Sequence, residues 1–179
     1  MPKASESTGP FVYTIGKSPL GTTLAAASPR GLCMLAFADS TRELLADVER
    51  RFPGATRATP RHPSLRWFRE AFKHVATPWK APTFPLDEYG TDFQKAVWRA
   101  LRRIPSGRTA SYFDIARAIG APTASRAVAG ACGANPISIV TPCHRIVRRD
   151  GSLSGYRWGI ERKRKLLALE TRHASSNAR

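Results

Sequence analysis

The sequence predicts an α+β protein: a small α/β unit over residues 1–84, followed by a mostly helical unit over residues 85–179 that carries a helix-turn-helix. Three observations lead there. Short β-prone runs cluster in the first 38 residues, and capping signals followed by helical apolar periodicity recur from Ser40 onward. Between the two patterns, residues 77–90 hold Pro78, Pro82 and Pro85 with little periodicity and read as an extended connector.

Residues 11–16, 22–27 and 31–38 are β-prone or small apolar runs separated by Ser-Pro-Leu-Gly and Ser-Pro-Arg turns, the pattern of a small antiparallel sheet. Ser40 and Glu43 have capping-box spacing ahead of Leu44, Leu45 and Val48. Ser64 stands where it would cap a second helix, in which Leu65, Phe68 and Phe72 share a face. Cys33 falls inside an apolar run, where a free thiol behaves as a small hydrophobe, and His62 and His74 stand apart from other chemistry-bearing groups.

In the second unit, Thr91 and Gln94 repeat the capping spacing, and Phe93, Val97, Ala100, Leu101 and Ile104 keep a helical period up to Pro105 and Gly107. Ser111 caps a shorter helix through Tyr112, Ile115, Ala116 and Ile119 that ends at Gly120, before Pro122. A third helix starts near Thr123 and runs to about Gly133, so that two helices and a glycine turn take helix-turn-helix form. Residues 137–140 read as a strand, 149–152 as a hairpin turn, 155–159 as an aromatic and glycine loop, and 160–170 as a basic helix. The first residues and the tail, 171–179, read as disordered.

The third helix is built of small side chains, Ala124, Ser125, Ala127, Ala129, Gly130, Ala131, Gly133 and Ala134, with Arg126 as its one long polar group. A smooth face of this kind fits a minor groove or a phosphate backbone better than a major groove, whose readers present several long hydrogen-bonding side chains. Small residues also let a helix pack closely on its neighbours, and the segment by itself supports both readings.

With 179 residues, 42% hydrophobic and 23% charged, the chain has apolar material for one or two small cores, and its formal charge of +16 calls for a polyanionic partner. The excess lies in the second half: 17 basic and 4 acidic residues from Lys95 onward, against 12 and 9 before it. Nucleic acid is the first candidate and an anionic membrane the second. The polar N-terminus lacks an apolar signal core, no run approaches the roughly 20 apolar residues that span a bilayer, and the cysteines number three. A soluble, cytoplasmic protein with free thiols is expected.

Chemistry concentrates at Thr141-Pro142-Cys143-His144-Arg145-Ile146-Val147, which sets a thiol beside an imidazole among Arg145, Arg148 and Arg149. The thiolate is the reactive form of cysteine, and neighbouring cations are expected to lower its pKa from about 8.5. The other Cys and His residues lack ligand-pair spacing, so no metal is expected. Asn135-Pro136, just upstream, is a turn former whose amide can tie neighbouring backbone groups together.

These residues carry a resemblance. Asn135-Pro136, the Pro-Cys-His-Arg-Ile-Val run, Gly151-Ser152-Leu153-Ser154-Gly155-Tyr156, and Arg162-Lys163 with Leu166, Leu167 and Glu170 resemble the O6-alkylguanine-DNA alkyltransferase family, in particular the C-terminal methyltransferase domain of bacterial Ada. The likeness extends back through Pro85-Leu86-Asp87, Gly90-Thr91, Phe93-Gln94, Val97-Trp98, Ile104-Pro105, Ser111-Tyr112 and Arg126-Ala127-Val128. It covers residues 85–170 strongly and the first unit in outline, as a ribonuclease H-like domain. The resemblance implies direct DNA repair: an O6-alkylguanine is flipped out of the duplex and its alkyl group passes irreversibly to the protein's own cysteine, once per molecule. O4-alkylthymine is an open second substrate. Double-stranded DNA is the implied partner, no cofactor is needed, and the protein is expected to be a monomer, with cooperative assembly along DNA left open.

By the same resemblance, Cys143 is the nucleophile, His144 deprotonates it through a bridging water, and Glu170 orients the imidazole. Asn135 braces the turn between the third helix and the cysteine, Tyr112 contacts the flipped guanine and helps it leave, and Arg126 fills the gap in the base stack. Further DNA contacts are expected from Gln94, Ser125, Ala127, Ala129, Gly130 and Arg149. The guanine pocket is expected to be lined by Tyr112, Ile146, Tyr156, Arg157 and Lys163. Arg157 and Trp158 stand where some relatives carry small residues, which favours methyl over bulky adducts such as benzyl. The chain also lacks the cysteine cluster of a metal-binding regulatory half. A helix-turn-helix binder without chemistry and a thiol hydrolase each fit part of the pattern, but the first leaves Cys143 unexplained and the second lacks a marked oxyanion site.

Overall fold

The computed structural model describes residues 10–176, and the chain divides into two compact units between Gly90 and Thr91. In the first, β1 (Val12–Ser18), β2 (Gly21–Ser28) and β3 (Gly31–Ala38) form an antiparallel meander, and the two-residue β4 (Thr56–Arg57) joins parallel to β1. The sheet order is β3-β2-β1-β4. β2 and β3 are buried residue after residue instead of alternately, so both faces of these strands are covered. Cys33 lies in this core, fully enclosed. The helices α1 (Thr41–Arg51) and α2 (Leu65–Ala76) pack on the sheet through Leu44 and Val48, and through Phe68, Ala71 and Val75.

Ser40 caps α1, its hydroxyl accepting the Glu43 N–H at 3.3 Å. Ser64 does not cap α2 as expected. Its own backbone is already helical, its side chain makes no capping bond, and its N–H instead donates to His62 Nδ1 at 3.2 Å. The first unit also extends beyond residue 84. The Leu32 N–H donates to the Pro85 carbonyl at 2.8 Å and the Asp87 N–H to the Leu32 carbonyl at 2.9 Å, so the connector's end adds to the edge of β3. Gly31 permits this approach, since a Cβ there would stand 2.6 Å from the Pro85 oxygen.

The second unit holds α3 (Asp92–Leu101), α4 (Tyr112–Ala118), α5 (Ser125–Ala134) and α6 (Ile160–Ser176). Thr91 with Gln94 and Ser111 with Asp114 are reciprocal capping boxes that fix where α3 and α4 begin. α4 closes on Gly120 at φ +75°, with the Ala121 N–H reaching back to the Ala116 carbonyl at 2.9 Å, and this glycine stop makes the helix-turn-helix with α5. The Trp98 indole N–H donates to the Ala131 carbonyl at 2.9 Å, joining α3 to α5 over a core of Val97, Leu101, Ile115 and Val128.

α5 begins at Ser125, after a turn in which the Ala124 N–H donates to the Ala121 carbonyl, so Thr123 is outside it. The strand expected at 137–140 is replaced by tight turns. The short β5 (Ala110–Ser111) and β6 (Ile146–Val147) pair in parallel, and the turn after β6 closes as expected, with the Arg148 N–H on the Ser152 carbonyl at 2.9 Å and Gly151 at φ +81°. Of the tail expected to be disordered, residues 171–176 continue α6. Its remainder, 177–179, and the first residues, 1–9, lie outside the described residues. No described helix is long and apolar enough to cross a membrane.

Candidate active site

The site grows from the segment between α5 and β6. Asn135, fully buried at the end of α5, donates from Nδ2 to the Thr141 carbonyl at 2.8 Å and to Cys143 Sγ at 3.3 Å, while its Oδ1 accepts the Ile137 N–H at 2.9 Å. One amide thereby folds the intervening residues back on themselves. Inside the loop the Val140 N–H donates to the Ser138 carbonyl at 2.8 Å around Ile139 at φ +69°, a γ-turn of the rare, strained kind on a β-branched residue. A second, relaxed γ-turn around Pro142 puts the Cys143 N–H 2.8 Å from the Thr141 carbonyl. The apolar run at 137–140 reflects burial, not extension.

Cys143, His144 and Arg145 share a single 3-10 turn. His144 Nε2 lies 3.0 Å from Glu170 Oε1, both side chains wholly buried. Glu170, delivered by α6, also accepts from Arg145 Nε at 3.0 and 3.2 Å, from Arg145 Nη2 at 2.8 Å and from the Gly107 N–H at 3.2 Å. Burial pushes the Glu170 carboxyl up, but the hydrogen bonds and charges of His144 and Arg145 outweigh it and hold the group at about 2. With Nε2–H committed to the carboxylate, Nδ1 carries the ring's lone pair, and among the described residues no atom donates to it. Burial, with the charges of Arg145 and Lys163 beside it, draws the imidazole's pKa down against the pull of Glu170 and keeps the ring neutral.

The Cys143 thiol behaves differently from expectation. Burial raises it to about 11, and the groups that partly offset this are the Asn135 amide and the charges of Lys163 and Arg157. Arg145 is committed to Glu170, and Arg148 and Arg149 are exposed, so the three arginines beside the motif do not activate the sulfur at rest.

A pocket of about 220 Å³ opens onto Cys143 and is lined further by Tyr112, Ala129, Cys132, Gly133, Gly155, Tyr156 and Arg157. It is smaller than the roughly 300 Å³ at which pockets for drug-sized ligands begin, a size for one flat ring. The Tyr156 hydroxyl shares a 2.7 Å hydrogen bond with Ser138 Oγ, and its ring stands edge-on to Trp158 at 5.2 Å. Arg157 Nη1 donates to the Gly133 carbonyl at 3.2 Å, from the pocket loop to the last turn of α5.

Tyr112, Tyr156 and Arg157 are therefore brought to the pocket, whereas Ile146 and Lys163 are not on its wall. Ile146 is fully buried, and its carbonyl accepts from Lys163 Nζ and from Ser154 Oγ. Lys163 Nζ donates as well to the Ser154 carbonyl at 3.1 Å and hydroxyl at 2.8 Å, so it pins the pocket loop to the cysteine segment from behind; burial lowers its pKa to about 8.

On α5, Arg126, Ala127 and Gly130 are exposed and Ser125 and Ala129 half-buried. Arg149 stacks over the Phe113 ring at 4.2 Å. Gln94 Oε1 accepts the Thr91 N–H at 3.0 Å, which gives that side chain a capping task. The sequence offers Arg145 as a cation for the thiol but not as the partner of Glu170, and it does not place Cys132 at the pocket. The helical phase of Ala129 and Cys132 could have placed the second thiol beside the pocket, while Arg145 needed its distant partner. Among the described residues no group of three His, Cys, Asp or Glu side chains could hold a metal ion.

Comparison with known proteins agrees with this architecture. Residues 92–172 match the family model of the 6-O-methylguanine DNA methyltransferase DNA-binding domain, and residues 11–80 that of its ribonuclease-like domain. The chain is 45% identical over 158 residues to the bifunctional transcriptional activator/DNA repair enzyme Ada of Escherichia coli, covering 88% of this chain and 45% of Ada, and so spans about half the length of that relative. It is 40% identical over 165 residues to a methylated-DNA--protein-cysteine methyltransferase of Methanosarcina barkeri, covering 88% of this chain and 96% of the relative. Among solved structures, Mycobacterium tuberculosis OGT in complex with DNA matches with a TM-score of 0.75 at 37% identity, over 90% of this chain and 93% of that one. With both of its domains matched and a relative covered nearly end to end, the chain belongs to the O6-alkylguanine-DNA alkyltransferase (6-O-methylguanine DNA methyltransferase) family.

Proposed function

We propose that the protein repairs O6-alkylguanine in duplex DNA by taking the alkyl group onto Cys143, once per molecule and without a cofactor. The observation that carries this is the alignment at the pocket floor: a buried thiol braced by Asn135, next to a neutral imidazole whose Nε2 is fixed 3.0 Å from Glu170 and whose Nδ1 is open. An alkyl group on guanine oxygen is an electrophile that a thiolate displaces in one step. His144 Nδ1 takes the thiol proton through a water, the sulfur attacks the alkyl carbon, and the carbon–O6 bond breaks. Guanine leaves as an anion that accepts a proton with the help of the Tyr112 hydroxyl. Glu170, already saturated with donors, stays ionised and holds the imidazolium in place.

Access requires the base to leave the helix. The exposed small-residue face of α5 suits close approach to a minor groove, Arg126 occupies the gap behind the flipped base, and the basic second unit supplies the phosphate attraction. The size of the pocket and the Arg157 bridge across it favour methyl over bulky adducts. Double-stranded DNA is the partner, bound by a monomer in the cytoplasm. In this reading the first unit is a ribonuclease H-like domain and the second reads DNA.

The test is peptide mass spectrometry after mixing the protein with excess duplex bearing one O6-methylguanine. The expected result is a single methyl on the Cys143 peptide with guanine restored, and no transfer by Cys143→Ala, which still binds the lesion. Unmodified wild-type protein bound to the lesion would make it a non-enzymatic binder, and transfer by Cys143→Ala would move the acceptor to Cys132.

A further inference from the structure

Arg145 takes no part in the scheme above, yet it makes more contacts with Glu170 than His144 does. We propose that Arg145 is a positioning residue for alkyl transfer: by sharing the carboxylate of Glu170 it lets that group orient the His144 ring without converting the ring to an imidazolium. The inference rests on the proposed reaction, in which His144 must accept a proton.

Geometry supports the division of labour. Oε1 of Glu170 receives His144 Nε2 at 3.0 Å and Arg145 Nη2 at 2.8 Å, while Oε2 receives Arg145 Nε at 3.0 Å and the Gly107 N–H at 3.2 Å. The guanidinium is itself fixed at its other end, with Nη1 on the Ile104 carbonyl at 2.5 Å, and its side chain is only 8% exposed. A buried carboxylate with an imidazole as its sole charged partner would draw a proton onto that ring, and an imidazolium cannot take another from the thiol. The permanent positive charge of Arg145 balances the carboxylate instead.

Among the described residues no other group facing His144 can stand in. Lys163 of α6 opposes a charge on the ring, but its three donors all end on oxygens of Ile146 and Ser154. Tyr156 of the pocket loop, with its ring centroid 6.5 Å from that of His144, is a neutral phenol bonded to Ser138, and the adjacent Cys143 is a neutral thiol.

The experiment is the pH dependence of single-turnover methyl transfer from an O6-methylguanine duplex by the wild type, Arg145→Lys and Arg145→Met. In Arg145→Met the midpoint of the acid limb is expected to rise by about one unit, so that transfer below it slows about tenfold, with Arg145→Lys near wild type. A structural role alone would slow transfer by the same factor at every pH. That result, or equal displacement in both variants, overturns the assignment. Nitrogen-detected NMR of His144 in the wild type covers the case in which Arg145→Met does not fold: a neutral ring protonated on Nε2 at pH 7 is expected, and an imidazolium overturns the proposal. A wild type that transfers no methyl refutes the reaction itself, and the His144 titration then still decides the charge state attributed to Arg145.

Discussion

Each unit of this protein is tied by one carboxylate that gathers several donors and an arginine, and the two ties do different things. In the first unit Asp87 Oδ2 accepts from the Ser28 hydroxyl at 2.5 Å, the Tyr89 hydroxyl at 2.6 Å and Arg30 Nε at 3.2 Å, and the Arg30 side chain is 61% exposed. In the second, Glu170 is wholly buried, as is one of its donors, the His144 imidazole. Burial works against both carboxylates and their donors prevail in both, so each sits below its ordinary pKa. The Asp87 donors have no second proton-exchanging site, and the cluster is a staple between β2, the β2–β3 turn and the chain's exit. His144 has one, and the same arrangement becomes a support for a base. What separates fold from chemistry here is a single open nitrogen on one buried donor.

Breaking the second tie should have the largest effect. Glu170→Gln leaves Arg145 buried without a counter-charge and is expected to cost about 3–5 kcal/mol of stability, with single-turnover transfer at least about 100-fold slower. Urea unfolding and quenched transfer assays measure the two, and unchanged transfer would remove Glu170 from the relay. Acid should expose the same tie next. The Glu170 carboxyl is at about 2 in the folded chain against an ordinary 4.5, so its contribution is complete above pH 4.5 and is lost as pH falls toward 2. That contribution is on the order of 3 kcal/mol, and a urea midpoint equal at pH 7 and pH 3 would contradict it. The smallest effect belongs to the first tie: Asp87→Asn should cost about 1 kcal/mol, because its arginine is exposed, and leave transfer unchanged. A comparable loss of transfer would erase the distinction between the two.

The elements written in local chemistry were legible from sequence. Thr91 with Gln94, the Ser111 cap and the Gly120 stop each act within a few residues, and they set α3, α4 and the turn before α5 where the pattern put them. The adjacent Cys143 and His144 were legible for the same reason, and Glu170 only through the resemblance. Long-range partners were not. Arg145 lies 25 residues from Glu170, so its commitment leaves no trace in spacing, and Lys163 was placed on a pocket wall because nothing local announces that its acceptors are Ile146 and Ser154. The run at 137–140 carries the same apolar signal whether it is extended or coiled around the Asn135 amide. Residues 171–176 lack helical patterning, yet Ala174 packs on Gly107, where an added Cβ would come within 2.9 Å, and the helix continues.

The depth of Cys143 bears on how long a molecule lasts before it meets damage. In the proposed reaction the acceptor is never regenerated, so every sulfur lost to a stray electrophile or oxidant is a repair event forgone. With the residue 5% exposed and the thiol raised to about 11, the sulfur is held in its protonated form at neutral pH. Small reagents diffusing past meet an inert sulfur, and reactivity waits until a base fills the pocket and the proton has somewhere to go. The same burial that makes the thiol a poor general nucleophile preserves it for the one substrate that can be brought to it.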